Sequence, residues 1–218
     1  SPEFYRDQRI DLKLNACVAS IDAAKREVQL EDGSHHAWDA LLLATGAEPV
    51  RLDVPGAKQP HVHVLRTWAD SRALIATASR SKNAVVIGAS FIGLEAAASL
   101  RARGLDVHVI GRETVLMERV LGADIGAFLR QLHEDHGVHF HLGATVAAIG
   151  EHRVTLDNGD VLEADLVVVG IGVRPALKLA EQAGLALDRG VSVDRYLATS
   201  VAGIYAAGDI ARWPDRLS

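Results

Sequence analysis

The amino-acid sequence predicts an α/β fold built on a doubly wound, mainly parallel sheet, and three features support that prediction. Short, β-branched apolar runs recur at 83–87, 105–110 and 166–169, as in strands that are covered on both faces. Segments with helical spacing of apolar residues separate these runs. A glycine-containing turn joins the first run directly to a helix. Strands that alternate with helices in this way are typical of a parallel sheet.

The composition of the 218-residue chain is that of a globular protein, with 49% apolar and 23% charged residues. A formal net charge of −5 argues against nucleic acid as a partner, because nucleic-acid binders present a basic face. No apolar run reaches the ~18 residues of a membrane helix, so no membrane partner is expected. Cys17 is the single cysteine, which excludes an internal disulfide and fits a reducing cytoplasm. The chain does not begin with Met, and we interpret it as a fragment of a longer protein.

Further elements are predicted between the three apolar runs and on both sides of them. Apolar spacing, caps and turn residues place helices at 2–8, 67–80, 94–103, 121–137 and 177–183. Alternating or short apolar runs place the remaining strands at 10–14, 18–22, 27–30, 38–44, 138–142, 145–149, 153–156, 161–162, 191–193 and 203–207. The proline-containing stretch 48–60 is predicted to be a linker.

The segment 85–93 (VVIGASFIG) has the spacing of a dinucleotide-binding turn between a strand and a helix. Gly88 permits the tight turn, and Gly93 allows the helix to lie close to the sheet. The helix N-terminus offers free N–H groups to phosphates. Ser90 replaces the middle glycine, so its Cβ restricts backbone approach while its hydroxyl can donate to a phosphate. The alternative is a doubly wound fold that binds no nucleotide.

The end of the strand 105–110 indicates which nicotinamide coenzyme is used. An acidic residue at this place would hold the ribose 2′-hydroxyl of NAD, but Gly111 and Arg112 follow instead. A guanidinium at Arg112 fits a 2′-phosphate, and the neighbouring Glu113 opposes it. The sequence therefore favours NADPH and leaves NADH open. The alternative is that Arg112 is a solvated loop residue.

Three segments together resemble a known superfamily. In order and spacing, residues 41–49 (LLLATGAEP), 91–95 (FIGLE) and 205–209 (YAAGD) are similar to motifs of the FAD-dependent pyridine nucleotide-disulfide oxidoreductases. Within that superfamily, residues 117–122 (MERVLG) and 208–214 (GDIARWP) resemble the ferredoxin-reductase-type enzymes, including the apoptosis-inducing-factor-like branch. The resemblance covers essentially the whole chain.

The resemblance implies a flavoprotein oxidoreductase with two nucleotide-binding domains. Hydride passes from NAD(P)H to FAD, and electrons then pass to an iron–sulfur protein such as a ferredoxin or a Rieske protein. Residues 1–52 and 173–218 would be parts of a Rossmann-like FAD-binding domain, and residues 53–172 would be a Rossmann-like NAD(P)H-binding domain inserted in it. The family's first flavin motif has no counterpart before Ala44. FAD is therefore expected in the full-length protein, and the chain alone is expected to be inactive.

The resemblance also implies roles for individual residues. The residues expected at FAD are Thr45, Gly46, Gly208 and Asp209. Those expected at NAD(P)H are Gly88, Ser90, Phe91, Ile92, Gly93, Gly111 and Arg112, with Gly172 near the nicotinamide. Glu95 matches a carboxylate near the junction of flavin and nicotinamide and is the candidate catalytic residue. The alternative for Glu95 is a polar residue on the solvent side of its helix.

Other classes of function remain as alternatives or are disfavoured. An NAD(P)H oxidase or a disulfide reductase is the rival enzyme, although a disulfide reductase needs a cysteine pair that this chain lacks. A non-catalytic nucleotide-binding redox sensor is the rival of another class. His133, His136, His139 and His141 have ligand-like spacing, but we interpret them as a helix end and a strand edge, with no metal.

Overall fold

The computed structural model describes residues 2–214. The chain divides into two compact units. One unit, called here the split unit, is formed by the chain up to Ala47 and again from Pro175; the other, the inner unit, is Glu48–Arg174. The units therefore change at 47/48 and 174/175, where the sequence analysis placed changes at 52/53 and 172/173.

The elements are numbered in chain order. The helices are α1 (Pro2–Asp7), α2 (Trp68–Ala78), α3 (Phe91–Ala102), α4 (Glu118–Leu121), α5 (Ala123–Asp135) and α6 (Lys178–Gln182), with a 3-10 turn at Gly208–Ile210. The strands are β1 (Val18–Asp22), β2 (Glu27–Leu30), β3 (His35–Ala37), β4 (Leu41–Leu43), β5 (Ala47–Pro49), β6 (Val62–Val64), β7 (Asn83–Ile87), β8 (Asp106–Gly111), β9 (Val138–Leu142), β10 (Val146–Ile149), β11 (Arg153–Leu156), β12 (Val161–Glu163), β13 (Leu166–Val169), β14 (Val173–Pro175), β15 (Val191–Ser192), β16 (Ile204–Ala206) and β17 (Ala211–Arg212). Between residues 2 and 214, no helix has the length and apolar character needed to cross a membrane.

The inner unit is built on a five-stranded sheet in the order β6-β13-β7-β8-β9. Every neighbouring pair in it is parallel, which confirms the predicted doubly wound sheet. Helices α2 and α3 pack on one face, where Leu74, Ala97 and Leu100 join the core. The antiparallel sheet β10-β11-β12 covers the other face. Because β7 lies in the middle, with β13 on one side and β8 on the other, the chain reverses its winding direction beside β7, where such folds bind ligands.

A capping box fixes the start of α2 at Thr67, where the sequence predicted a helix to begin. The Thr67 hydroxyl accepts from the Asp70 backbone N–H at 3.1 Å, and the Asp70 carboxylate accepts from the Thr67 N–H at 2.7 Å. We expect Thr67→Ala to lower the free energy of unfolding by about 1 kcal/mol, because one helix N–H loses its acceptor. Urea denaturation measures this, with Thr67→Ser as the control. An equal loss in Thr67→Ser would show that the hydroxyl bond is not the cause.

The split unit has its own core beneath several short sheets. Strands β1-β2-β3 are antiparallel, whereas β4 pairs with β16 and β15 with β17 in parallel. Ile21, Leu43, Ile204 and Ile210 are buried in this core. Residues 10–14 were predicted as a strand, and that prediction is wrong: the segment is irregular. Its apolar side chains are exposed, because no described strand pairs with it and alternation alone supplies no partner.

Candidate functional site

A pocket of about 790 Å³ lies at the carboxyl edge of the parallel sheet, entirely within the inner unit. Its walls come from the turns that follow β7, β8 and β13, from the segment before α4 and its first turn, and from the start of β10. The lining residues include Gly88–Phe91, Arg112, Glu113, Met117–Val120, Ala144–Val146 and Gly170–Gly172. The position agrees with the rule that open parallel sheets bind ligands where the winding direction reverses.

Two glycines make the turn between β7 and α3 possible. Gly88 has φ +111°, and a Cβ there would lie 2.4 Å from the Gly170 carbonyl oxygen. A Cβ on Gly93 would lie 1.9 Å from the Gly88 carbonyl oxygen. Both distances are far inside van der Waals contact, so neither position accepts a larger residue without a backbone shift. The sequence prediction that these glycines bring helix and sheet together agrees with this geometry.

Ser90 acts as the N-cap of α3. Its hydroxyl accepts from the Gly93 N–H at 3.3 Å and donates to the Gly170 carbonyl at 2.7 Å. In this structure the one hydroxyl proton is directed at Gly170, so donation to a phosphate, which stays a prediction, would require the hydroxyl to turn away from that carbonyl. Its role here is to join the start of α3 to the end of β13.

The first turn of α3 keeps the features needed to bind an anion. In the described part of the chain, no group accepts from the backbone N–H of Phe91 or Ile92. A helix N-terminus carries roughly half a positive charge, and Phe91 also lines the pocket. A phosphate group therefore fits at this end of the pocket. The cradle formed by Gly88 and Gly93 fits the pyrophosphate of a dinucleotide.

The end of β8 is tightly packed around its last residue, so a side chain there would require its neighbours to shift. Gly111 is buried, and a Cβ there would lie 3.0 Å from the Ala89 Cβ and 3.1 Å from the Leu142 Cδ2. Arg112 follows it, is exposed and lines the pocket. Over residues 2–214 no ion pair involves the Arg112 guanidinium. This cation is therefore available to a ligand in the pocket.

Some predicted residues do not face the pocket, and some residues that face it were missed. Ile92, Gly93 and Glu95 are absent from the described lining, and Glu95 is exposed on α3. The missed lining residues include Met117–Val120 and Ala144–Val146. Met117 has φ +52°, a left-handed conformation that is uncommon outside glycine. No sequence pattern predicts the left-handed conformation of Met117, although residues 117–122 contribute to the family resemblance.

The predicted flavin residues gather in the split unit. Strands β4 and β16 are parallel, so the residues that follow each of them, 44–46 and 207–209, meet at one edge. The Thr45 hydroxyl donates to the Ala176 carbonyl at 3.0 Å, and the Ala176 N–H donates to the Gly46 carbonyl at 2.9 Å. Gly208 has φ +73°, so the chain turns sharply just before Asp209. This edge is a second place where loops follow the ends of parallel strands.

Comparisons with known proteins show the family to which the chain belongs. Residues 4–218 match the family model described as pyridine nucleotide-disulphide oxidoreductase. The chain is 42% identical over 217 residues to rhodocoxin reductase of Rhodococcus erythropolis, covering 97% of this chain and 51% of that protein. It is 37% identical over 216 residues to the ferredoxin–NAD(+) reductase subunit of the benzene 1,2-dioxygenase system of Pseudomonas putida, covering 97% of this chain and 53% of that protein.

A solved structure is similar over the whole chain. It is the ferredoxin reductase for the CYP199A2 system of Rhodopseudomonas palustris, with 38% identity and a TM-score of 0.95. The match covers 100% of this chain and 55% of that one. The chain therefore spans about half the length of the relatives that it matches.

Proposed function

Because the chain belongs to the pyridine nucleotide-disulphide oxidoreductase family, we propose that it is part of an FAD-dependent NAD(P)H oxidoreductase of the ferredoxin-reductase type. The observation that carries the proposal is the pocket at the carboxyl edge of the inner sheet, with a two-glycine turn and free N–H groups on α3. Negatively charged pyrophosphate is the ligand chemistry that such a site favours.

We assign NAD(P)H to the inner unit. The N–H groups of Phe91 and Ile92 bind the pyrophosphate, and Gly88 and Gly93 allow its close approach. Arg112 faces the adenosine ribose, and Gly172, with φ +113°, leaves backbone space for the nicotinamide. Glu95, an exposed carboxylate on α3, is proposed to act beside the reacting rings, and the support for it is the family resemblance.

FAD is assigned to the split unit of the full-length protein. Thr45 and Gly46 follow β4, and Gly208 and Asp209 follow β16, so these residues share one edge of a parallel strand pair. Bound there, FAD would supply the chemistry of hydride acceptance and one-electron transfer. The residues named here would hold the two cofactors.

An iron–sulfur protein is the proposed electron acceptor. Support comes from the relatives, which include a ferredoxin–NAD(+) reductase of a dioxygenase system and a ferredoxin reductase. We also propose a cytoplasmic location. A single, exposed cysteine, Cys17, is compatible with the reducing environment of that compartment.

Calorimetric titration of the 218-residue chain with NADH and with NADPH tests the coenzyme site. We expect one molecule bound per chain, with ADP-ribose as a competitor, because the pyrophosphate and adenosine parts contact the turn after β7. Nicotinamide mononucleotide, which lacks the pyrophosphate, is the control and should compete poorly. A chain that binds neither coenzyme would overturn the assignment of the inner unit.

A further inference from the structure

A cluster of three histidines and one aspartate lies on adjacent strands β8 and β9. The His108 Nδ1 and His141 Nε2 atoms are 2.9 Å apart, a hydrogen-bond distance. His108 also stacks on His139, with ring centroids 4.9 Å apart. The Asp106 carboxylate lies 3.5 Å from His139 Nε2 and 3.8 Å from His108 Nε2. Within residues 2–214, no three His, Cys, Asp or Glu side chains have an arrangement that could hold a metal ion.

The hydrogen bond between His108 and His141 limits how many protons the pair can hold. One ring nitrogen must donate and the other must accept. The bond survives with both rings neutral, or with one added proton at a nitrogen outside the bond. It cannot survive two added protons, because two N–H groups would then face each other. Strong acidification therefore converts this attraction between β8 and β9 into repulsion.

The surroundings of the pair favour the neutral rings. Burial lowers the pKa of His108 from its ordinary value of 6.5, and the neighbouring His141 and His139 act in the same direction against Asp106. Burial also lowers the pKa of His141, and His139 adds to this, whereas Asp160 opposes it from the turn before β12. Because the folded-state pKa values are lowered, the stabilisation is complete above about pH 6.5 and is lost as the pH falls below it.

The cluster lies on the two strands whose carboxyl ends lead into the wall of the coenzyme pocket. Ile110 pairs with His141, and Gly111 pairs with Leu142. Arg112, which follows β8, and residues 144–146, which begin two positions after the end of β9, line the pocket. Two hydrogen bonds extend the pairing into this wall: the Ala144 N–H donates to the Gly111 carbonyl, and the Gly143 N–H donates to the Glu113 carbonyl, both at 3.2 Å.

We infer that the pair His108–His141 couples proton binding to coenzyme binding, so that acid weakens the affinity for the coenzyme. The inference rests on the proposed coenzyme site. When both rings carry an added proton, their repulsion opens the pairing of β8 with β9, and the wall formed by Arg112 and residues 144–146 loses its fixed geometry. Coenzyme binding restores that pairing and therefore displaces protons, because such coupling is reciprocal.

The test compares coenzyme affinity at pH 7.5 and pH 4.5 for the 218-residue chain and its variants. NAD⁺ and NADP⁺ are the probes, since the reduced forms decay in acid. We expect the wild-type affinity to fall about fivefold over this range. In His141→Gln, which cannot titrate, the fall should be less than about twofold, and His108→Gln should behave in the same way. His136→Gln is the matched control, because His136 is exposed and lies outside the cluster; it should follow the wild type.

A second measurement distinguishes failure of the proton coupling from failure of the proposed coenzyme site. Hydrogen-exchange protection of the β9 amides, without coenzyme, should fall at pH 4.5 in the wild type and stay constant in His141→Gln. If the protein binds coenzyme with the same pH dependence in wild type and both glutamine variants, the coupling is wrong and the coenzyme site stands. If β9 protection depends on pH as expected but no coenzyme binds at pH 7.5, the proposed function fails, and the coupling to coenzyme fails with it.

Discussion

Gly93→Ala is expected to remove most coenzyme binding and to destabilise the inner unit. The new Cβ would lie 1.9 Å from the Gly88 carbonyl oxygen, so either α3 or the turn after β7 must move. Overpacking of this kind costs about 1–3 kcal/mol of folding stability. The movement also displaces the N–H groups of Phe91 and Ile92. We expect affinity for NAD(P)H to fall about tenfold or more, the equivalent of one charge-assisted hydrogen bond lost.

Thermal melting and calorimetric titration measure the two effects of Gly93→Ala. Ser99→Ala is the matched control, because Ser99 is exposed on the same helix and the change adds no atom. It should keep both the melting temperature and the coenzyme affinity of the wild type. Unchanged affinity in a folded Gly93→Ala chain would mean that the coenzyme does not contact the start of α3.

Arg112→Ala is expected to change the choice between the two coenzymes. The guanidinium lines the pocket, and a charge-assisted bond to a 2′-phosphate contributes about 1.5–3 kcal/mol. Because Arg112 is exposed and Glu113 is its neighbour, we expect the lower end of that range. The affinity for NADPH should therefore fall about tenfold, while the affinity for NADH should stay within about twofold.

Titration of wild type and variant with both coenzymes measures this, and raising the salt concentration should reduce the difference. Arg103→Ala is the control: Arg103 is also exposed but lies at the opposite end of α3 from the pocket, so the affinities should not change. Tighter binding of NADH by the wild type, with no effect of Arg112→Ala, would show that Arg112 is a solvated loop residue.

The sequence predicted those parts of the site that depend on local chemistry. The buried β7, the turn at Gly88 and the start of α3 follow from β-branched residues and glycines in consecutive positions. The wall Met117–Val120 could not be predicted, because it depends on a left-handed residue, Met117, whose conformation only the surrounding packing fixes. The bond from the Ser90 hydroxyl to the Gly170 carbonyl could not be predicted either, because it joins residues that are distant in the chain.

Contacts between residues distant in the chain were the second source of error. The sequence analysis grouped His133, His136, His139 and His141 by spacing, whereas the parallel register places His108 against His139. The strand predicted at 10–14 is wrong for a related reason. The apolar alternation is present in the sequence, but the described chain supplies no neighbouring strand to pair with it. Three-residue strands such as β3 and β6 were missed because their hydrogen bonds, rather than their composition, define them.

The tight packing around Gly111 restricts the order in which substitutions can accumulate during evolution or engineering. An aspartate at this position, the usual route to an NADH-specific pocket, would bring its Cβ to 3.0 Å from the Ala89 Cβ. Shortening Ala89 to glycine first would remove that contact, whereas an aspartate introduced first would require the Ala89 methyl group to shift; the Leu142 Cδ2, at 3.1 Å, must shift in either case. The two changes are therefore expected to be non-additive, and the acid is expected to cost less folding stability when the change at Ala89 comes first.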